Sequence, residues 1–392
     1  MHTLKLYHSK ERDKFMERRN FLGKIPLAVG GVLVARPSVT YAQSTPPPSI
    51  WTNVKAFGAV GDGVTDDTAA IQSAISSLQQ SNDYRGGVLY FPVGRYKCSS
   101  TLFFTSYAAG SVHNIIVRGD GPQCTVLDFQ GAGTGSSGLA FNAGAQFGVE
   151  DLLINGAPGT GLLVGSGNAV GASGYCSFFT IKNVRIQNCG FHGFRFINTY
   201  MGTISDCWSK GNSQIGFLFD GYHTSMNVNR CEASENGGIG WSLNGMTYST
   251  FTACGADSNV WGYAATNLVG VTFTACGAES NQREGWLLVS GSGTIGGLPS
   301  QVVDIHGVIL TSCSSYFNGT AGINAFGSHL AASASNSRPI QFKMSGNTSF
   351  CSPGSTVSMV LDATNGPVTV YDELSHFDGG WVSYGPVVRK TF

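Results

Sequence analysis

Residues 250–259 read TFTACGADSN and residues 272–281 read TFTACGAESN, ten residues repeated 22 positions on with Asp257 exchanged for Glu279. The echo extends in both directions. Cys207, Cys231, Cys254 and Cys276 follow one another at intervals of 24, 23 and 22, and Cys313 comes after a further 37. Five residues beyond each cysteine stands an asparagine: Asn212, Asn236, Asn259, Asn281 and Asn318. Eight or nine residues beyond each stands a glycine (Gly216, Gly240, Gly262, Gly285, Gly322), followed by a bulky apolar residue (Phe217, Trp241, Tyr263, Trp286, Ile323). Three residues before each cysteine is another apolar one: Ile204, Val228, Phe251, Phe273 or Leu310. A period of this length marks a solenoid, in which each repeat is one coil and equivalent residues stack on the coil above.

The residue types choose the coil. VTFTAC alternates, placing Val271 and Phe273 on one face and Thr272 and Thr274 on the other, while GFLF and GWLL supply second short strands. With no helical periodicity in the repeat, the expected fold is all-β: a single-stranded right-handed parallel β-helix. The recurring asparagine is expected to take left-handed backbone at a turn and to hydrogen-bond its neighbour one coil away. The aligned cysteines, which include no C-x-x-C pair, read as a stack of buried, inert thiols and not as metal ligands. Trp241 and Trp286 share the inward phase and are expected to stack in the core. The long step before Cys313 marks an insertion, residues 289–301, expected as a projecting loop.

Composition agrees. Charged residues make up 12% of the 392, glycine contributes 54, and the formal net charge is zero. Such a chain suits many short strands and turns, and it has no basic field for nucleic acid or a membrane surface. Residues 16–43 carry Arg18-Arg19, an apolar run from Ile25 to Ala35 and the small-residue exit Thr40-Tyr41-Ala42. That order predicts an export signal over 1–42 of twin-arginine type, with a Sec signal as the alternative, and a periplasmic or extracellular location. Residues 43–50 then form a proline-rich linker, and 51–392 a single β-helix domain with regular coils over 180–325. The start codon (Met1 or Met16) and the oligomeric state are open at this level, and no later segment is long enough to span a membrane.

Upstream of the coils, Ala70, Ile71, Ala74, Ile75 and Leu78 fall at helical spacing behind the caps Thr65 or Asp66, predicting an amphipathic helix that closes the open end of the solenoid. Together, NVKAFGAVGDGVTDDTAAIQSAI, GGVLYFPVGRY and IIVRGDG resemble the opening of the pectate lyase superfamily domain, here over about residues 51–130. That opening is shared by polygalacturonase- and rhamnogalacturonase-type hydrolases, epimerase-like proteins and phage tailspikes. The resemblance implies a β-helix acting on polysaccharide and makes Asp62, Asp66 and Asp67 turn and cap residues. The N-T-D, D-D, G-H-G and R-I-K signatures of polygalacturonase-type hydrolases are absent at their spacings, so that catalytic set is not carried over.

Candidate site residues are therefore read from the coils. Asp257 and Glu279 occupy one coil position and are expected one strand spacing apart, where like charges raise a pKa or recruit a cation. With Glu284 and Arg283 they form the candidate catalytic set, Arg283 as a partner for a sugar carboxylate. Glu232 and Arg230 lie in the same coils. Glu235, Trp261, Trp208 and the FDGYHTS turn, with Asp220, Tyr222 and His223, are candidate substrate contacts. No metal ligand set is assigned; Ca²⁺ enters only if the reaction is a lyase elimination. The expected function is an exported protein that cleaves or modifies a uronate-rich polysaccharide as glycoside hydrolase or lyase/epimerase. The alternative is a non-catalytic glycan-binding or envelope scaffold.

Overall fold

The computed structural model describes residues 51–79, 86–104, 114–165, 175–289, 294–295, 298–299, 305–319, 330–333, 340–350, 357–362, 368–373, 375–377, 380–384 and 387–391. The expected export signal (1–42), the linker (43–50) and most of the 289–301 insertion lie outside them. Of that insertion, Thr294–Ile295 pairs antiparallel with Leu298–Pro299.

One coil explains the others. Thr203–Ser205, Trp208–Lys210 and Phe217–Thr224 are its three strands, and each lies on one face of a parallel β-helix. The coil above pairs in register, Thr203 with Asn227, Trp208 with Glu232 and Phe217 with Trp241. The two ten-residue copies pair residue for residue, Thr250 with Thr272 and Asp257 with Glu279. Alternation then sorts the side chains: Val271 and Phe273 are buried, while Thr272 and Thr274 keep partial exposure.

Parallel stacking puts like on like in the core. Phe194, Phe217, Trp241, Tyr263 and Trp286 form one pile of rings with centroids 4.5, 4.0, 6.0 and 4.0 Å apart and planes within 7° of parallel. The cysteine column is buried and unbridged, and its thiols turn onto nearby carbonyls, Cys207 to Ser205 at 3.2 Å and Cys231 to Asn229 at 3.3 Å.

The asparagine column departs from expectation in one respect. Left-handed backbone falls on the residue before it: Gly211, Glu235, Ser258, Ser280 and Phe317, with φ of 51–62°. The asparagines themselves turn inward, where the bend leaves coil-to-coil polar groups away from water. Asn259 shows why. Its Oδ1 accepts from Asn236 N at 3.0 Å and from Asn236 Nδ2 at 2.9 Å, while its Nδ2 donates to Ala233 O at 2.9 Å and Asn281 Oδ1 at 3.2 Å. A fully buried amide with both ends satisfied is worth more at this corner than an exposed turn residue.

At the N-terminal end, helix α1 (Thr68–Gln79) buries Ile71, Ala74 and Ile75, with Ala70 and Leu78 packed against the core. Gln72 closes the open edge of Leu102–Phe104 by donating to Phe103 O and accepting from Phe103 N, both at 3.0 Å. The three nearby aspartates are consumed locally. Asp62 accepts from Val64 N and Thr65 N, Asp66 from Thr68 N, and buried Asp67 from Val60 N and Gly61 N. Among the described residues no helix is long and apolar enough to cross a membrane.

Candidate active-site strip on the second face

The second face carries two outward columns. One runs Arg185, Trp208, Glu232, Gly255, Gly277, Ser314; the other runs Gln187, Lys210, Ser234, Asp257, Glu279, Tyr316. Neighbours within a column are about 4.8 Å apart, the strand spacing.

Glu232 sits at the centre. Its Oε2 lies 1.8 Å from the place where a β-carbon on Gly255 would be, so the carboxyl fills the space left by the missing side chain. Burial there, and then the charges of Asp257 and Glu279, push its pKa up from the ordinary 4.5 to about 7. One coil toward the N-terminus, the Trp208 indole N–H donates to Ser234 Oγ at 2.7 Å, which fixes the ring. The Arg185 guanidinium and Lys210 ammonium lie over that ring, 5.2 and 5.3 Å from its centroid. Lys210 also pairs with Glu235 at 2.9 Å, tying Glu235 to the strip. On the other side of Glu232, Asp257 accepts from Ser258 Oγ at 2.9 Å, and Glu279 is exposed.

Glu232, Asp257 and Glu279 stand on three successive coils, so the trio spans about 10 Å. Among the described residues no three His, Cys, Asp or Glu side chains gather closely enough to hold a metal ion. Chemically the strip offers one carboxyl able to hold or release a proton near neutrality, two further carboxyl groups beside it, and an indole ring with two cations over it.

The other sequence candidates fall elsewhere. Arg283 lies over Trp261 at 4.8 Å, and Gly262 N donates to Glu284 O, which sets Glu284 beside Trp261. This cluster lies across the Ser280–Asn281 corner from Glu279, at the start of the third face. Asp220 pairs with Arg195 at 2.7 Å, and Tyr222 is half exposed, both on the third face. His223 is fully buried, its Nδ1 2.8 Å from Thr199 Oγ1, and burial pushes its pKa down to about 3. It therefore stays neutral and out of reach of any ligand in solvent. Residues 217–224 continue as a strand where a turn was expected, with a register shift between Asp220 and His223, and past the shift His223 pairs with the buried Thr199 and Met246 of the coils on either side.

Sequence reasoning named Glu232 only as one acid among several and missed Arg185. The available signal was glycine at two successive outward positions, Gly255 and Gly277, where the preceding coils carry Trp208 and Glu232.

Residues 51–128 match the family model described as rhamnogalacturonase A/epimerase, pectate lyase-like, and residues 137–297 match that of the right-handed β-helix region. Mannuronan C5-epimerase AlgE5 of Azotobacter vinelandii is 32% identical over 178 residues, 43% of this chain and 18% of that protein. Alginate lyase 7 of the same organism is 32% identical over 178 residues, 43% of this chain and 20% of the relative. The matched stretch thus spans about a fifth of the length of these relatives. Among solved structures, the A-module of Azotobacter vinelandii mannuronan C-5 epimerase AlgE4 superposes with a TM-score of 0.56 at 18% identity, covering 87% of this chain and 100% of the module. By an opening that matches the pectate lyase-like model and coils that match the right-handed β-helix model, the chain is a right-handed parallel β-helix with a pectate lyase-like opening.

Proposed function

We propose that the protein is a polysaccharide-modifying enzyme that moves a proton on a uronate-bearing sugar, with Glu232 as the acid/base group. The observation that carries this reading is the seat of Glu232 over Gly255, beside a cation-flanked tryptophan. A general base works best when its pKa lies near the working pH, and burial brings this carboxyl to about 7. The proton on the carbon next to a uronate carboxylate becomes removable when cations offset that carboxylate's charge. Arg185 and Lys210, held over the Trp208 ring, are the cations proposed to do so. Glu232 takes the proton; the electron pair then forms a double bond to the neighbouring carbon and expels its glycosidic oxygen, which takes a proton from water (elimination), or it takes a proton from water on the opposite face of the ring (epimerisation), and Glu232 afterwards returns its proton to solvent. Relatives named as uronan epimerases and a lyase support this class. The order of basic, apolar and small residues over 16–43 supports a site of action outside the cytoplasm.

The test is to incubate the purified protein in D₂O with a panel of acidic and neutral polysaccharides. Unsaturated-product absorbance reports elimination, and deuterium next to the carboxylate without chain cleavage reports epimerisation. Either signal, lost in Glu232→Gln, is the expected result. Reducing ends without unsaturation would replace the reading by hydrolysis, with Asp257 as the second carboxylate. Glycan binding without turnover on any polymer would replace it by the scaffold.

A further inference from the structure

The strip is electrically lopsided along the helix axis, and its two halves meet at Glu232. Toward the N-terminal coils, Arg185 and Lys210 lie over the Trp208 ring. Toward the C-terminal coils the same columns offer Gly255 and Gly277, which add no side chain, with Asp257 and Glu279 beside them and Ser314 and Tyr316 beyond. The cation nearest in sequence to that half, Arg283, is stacked on Trp261 around the corner.

A sugar chain lying along the axis meets a new coil about every 4.8 Å, close to the length of one ring. A sugar beside Trp208 finds two cations seated on the indole, Lys210 shared with Glu235 and Arg185 the more open, the setting for a carboxylate. A ring over Gly277 finds a bare floor and two carboxylates, which accept hydrogen bonds from hydroxyl groups. A carboxylate in that second position would lie about 5 Å from two like charges, weakening binding by roughly ten- to a hundredfold.

Building on the proposed role of Glu232, we infer that the strip selects a mixed polysaccharide, with a uronate on the N-terminal side of Glu232 and an uncharged sugar on the C-terminal side. A continuous run of uronates is disfavoured. A chain with uronates at one end and neutral sugars at the other is thereby also held in one direction, its uronates toward Trp208.

The test separates binding from turnover. The full-length Glu232→Gln protein is titrated calorimetrically, in EDTA, with three oligosaccharides of equal length: an oligogalacturonate, one with uronates in one half and neutral hexoses in the other, and a neutral one. The mixed probe is expected to bind at least tenfold tighter than the oligogalacturonate. Arg185→Ala or Lys210→Met should cost the mixed probe about tenfold and leave the neutral probe unchanged. Asp257→Asn with Glu279→Gln should tighten the oligogalacturonate at least tenfold. Oligogalacturonate binding as well as the mixed probe in EDTA overturns the inference, and so does no binding of either uronate probe. Preference for oligogalacturonate on adding Ca²⁺, abolished by the Asp257/Glu279 double variant, also overturns it, making the acidic half a cation site. Turnover by the native protein that survives Glu232→Gln sinks the catalytic role alone, and the binding order still decides the subsites.

Discussion

Replacing Glu232 by glutamine tests the seat over Gly255 without any knowledge of the substrate. Burial and the neighbouring carboxyls raise the Glu232 pKa from the ordinary 4.5 to about 7 in the folded protein. With residual solvent access discounted, that preference for the protonated form is on the order of 2 kcal/mol. Because the folded pKa is the higher one, the native state holds the proton longer than the unfolded chain. The associated stability is full below pH 4.5 and is lost as pH rises through 7. Glutamine mimics the protonated carboxyl and never ionises, so Glu232→Gln should match the native protein near pH 4.5 and exceed it by about 2 kcal/mol at pH 8. For a domain of this size that is about 3 °C in Tm. Differential scanning calorimetry of both proteins across pH 4.5–8 reads the difference, in which other titrating groups, including the buried His192 and His223, cancel. A Tm difference constant to within about 1 °C across that range would refute the account of a desolvated carboxyl. In turnover assays the native rate should rise with pH through about 7, since the ionised form is the base.

Gly255→Ala puts a β-carbon where the Glu232 carboxyl sits. Because the atom displaced is the end of a flexible side chain, Tm should move by less than about 2 °C, while activity falls at least about a hundredfold and the pH signature above disappears. Asn259→Ala strands the buried Asn236 N and Ala233 O, at about 1–3 kcal/mol each, so thermal unfolding should come about 3–7 °C earlier. His223 is held neutral with a pKa of about 3 against 6.5, so its penalty grows as pH falls below 6.5 and reaches about 2 kcal/mol at pH 5. His223→Asn should therefore narrow the gap in stability between pH 8 and pH 5, measured by urea midpoints. Of the described cysteines Cys124 alone is exposed, so brief iodoacetamide treatment followed by peptide mass mapping should modify it and spare the buried column.

The fold was legible because a solenoid repeats its own constraints. The cysteine, asparagine and aromatic positions recur at one interval, so each coil predicted the register of the next, and Asp257 did land beside Glu279. The helix was legible for a separate reason, since Ile71, Ala74 and Ile75 show their buried face in their spacing. What went astray was local. Asparagine has a preference for left-handed backbone, but tertiary demand for a buried amide outweighed it, and Glu235 and Phe317 carry the strained corner instead. Asp220-Gly221 looks like a turn, yet Gly221 at φ 103° only kinks a strand that runs on to Thr224.

The site was hidden for a different reason. Nothing near Glu232 in the sequence distinguishes it from Glu235 three residues on, and their fates diverge through what the neighbouring coils supply. Glu235 faces Lys210 at an exposed corner, whereas Glu232 meets a glycine that lets its carboxyl fold onto the backbone and lose water. In a β-helix a residue's chemistry is set as much by the residue one period later as by its sequence neighbours. The informative unit is therefore the column. Read down the second face, Arg185, Trp208, Glu232, Gly255 and Gly277 form a sequence of their own, passing from cation to aromatic, to acid, to bare backbone. Ordinary strand surface, such as the first-face column Thr203, Asn227, Thr250 and Thr272, keeps small polar residues from coil to coil. The second-face column instead changes chemical class at each step from Arg185 to Gly255, and the proposed role of Glu232 rests on that departure from regularity.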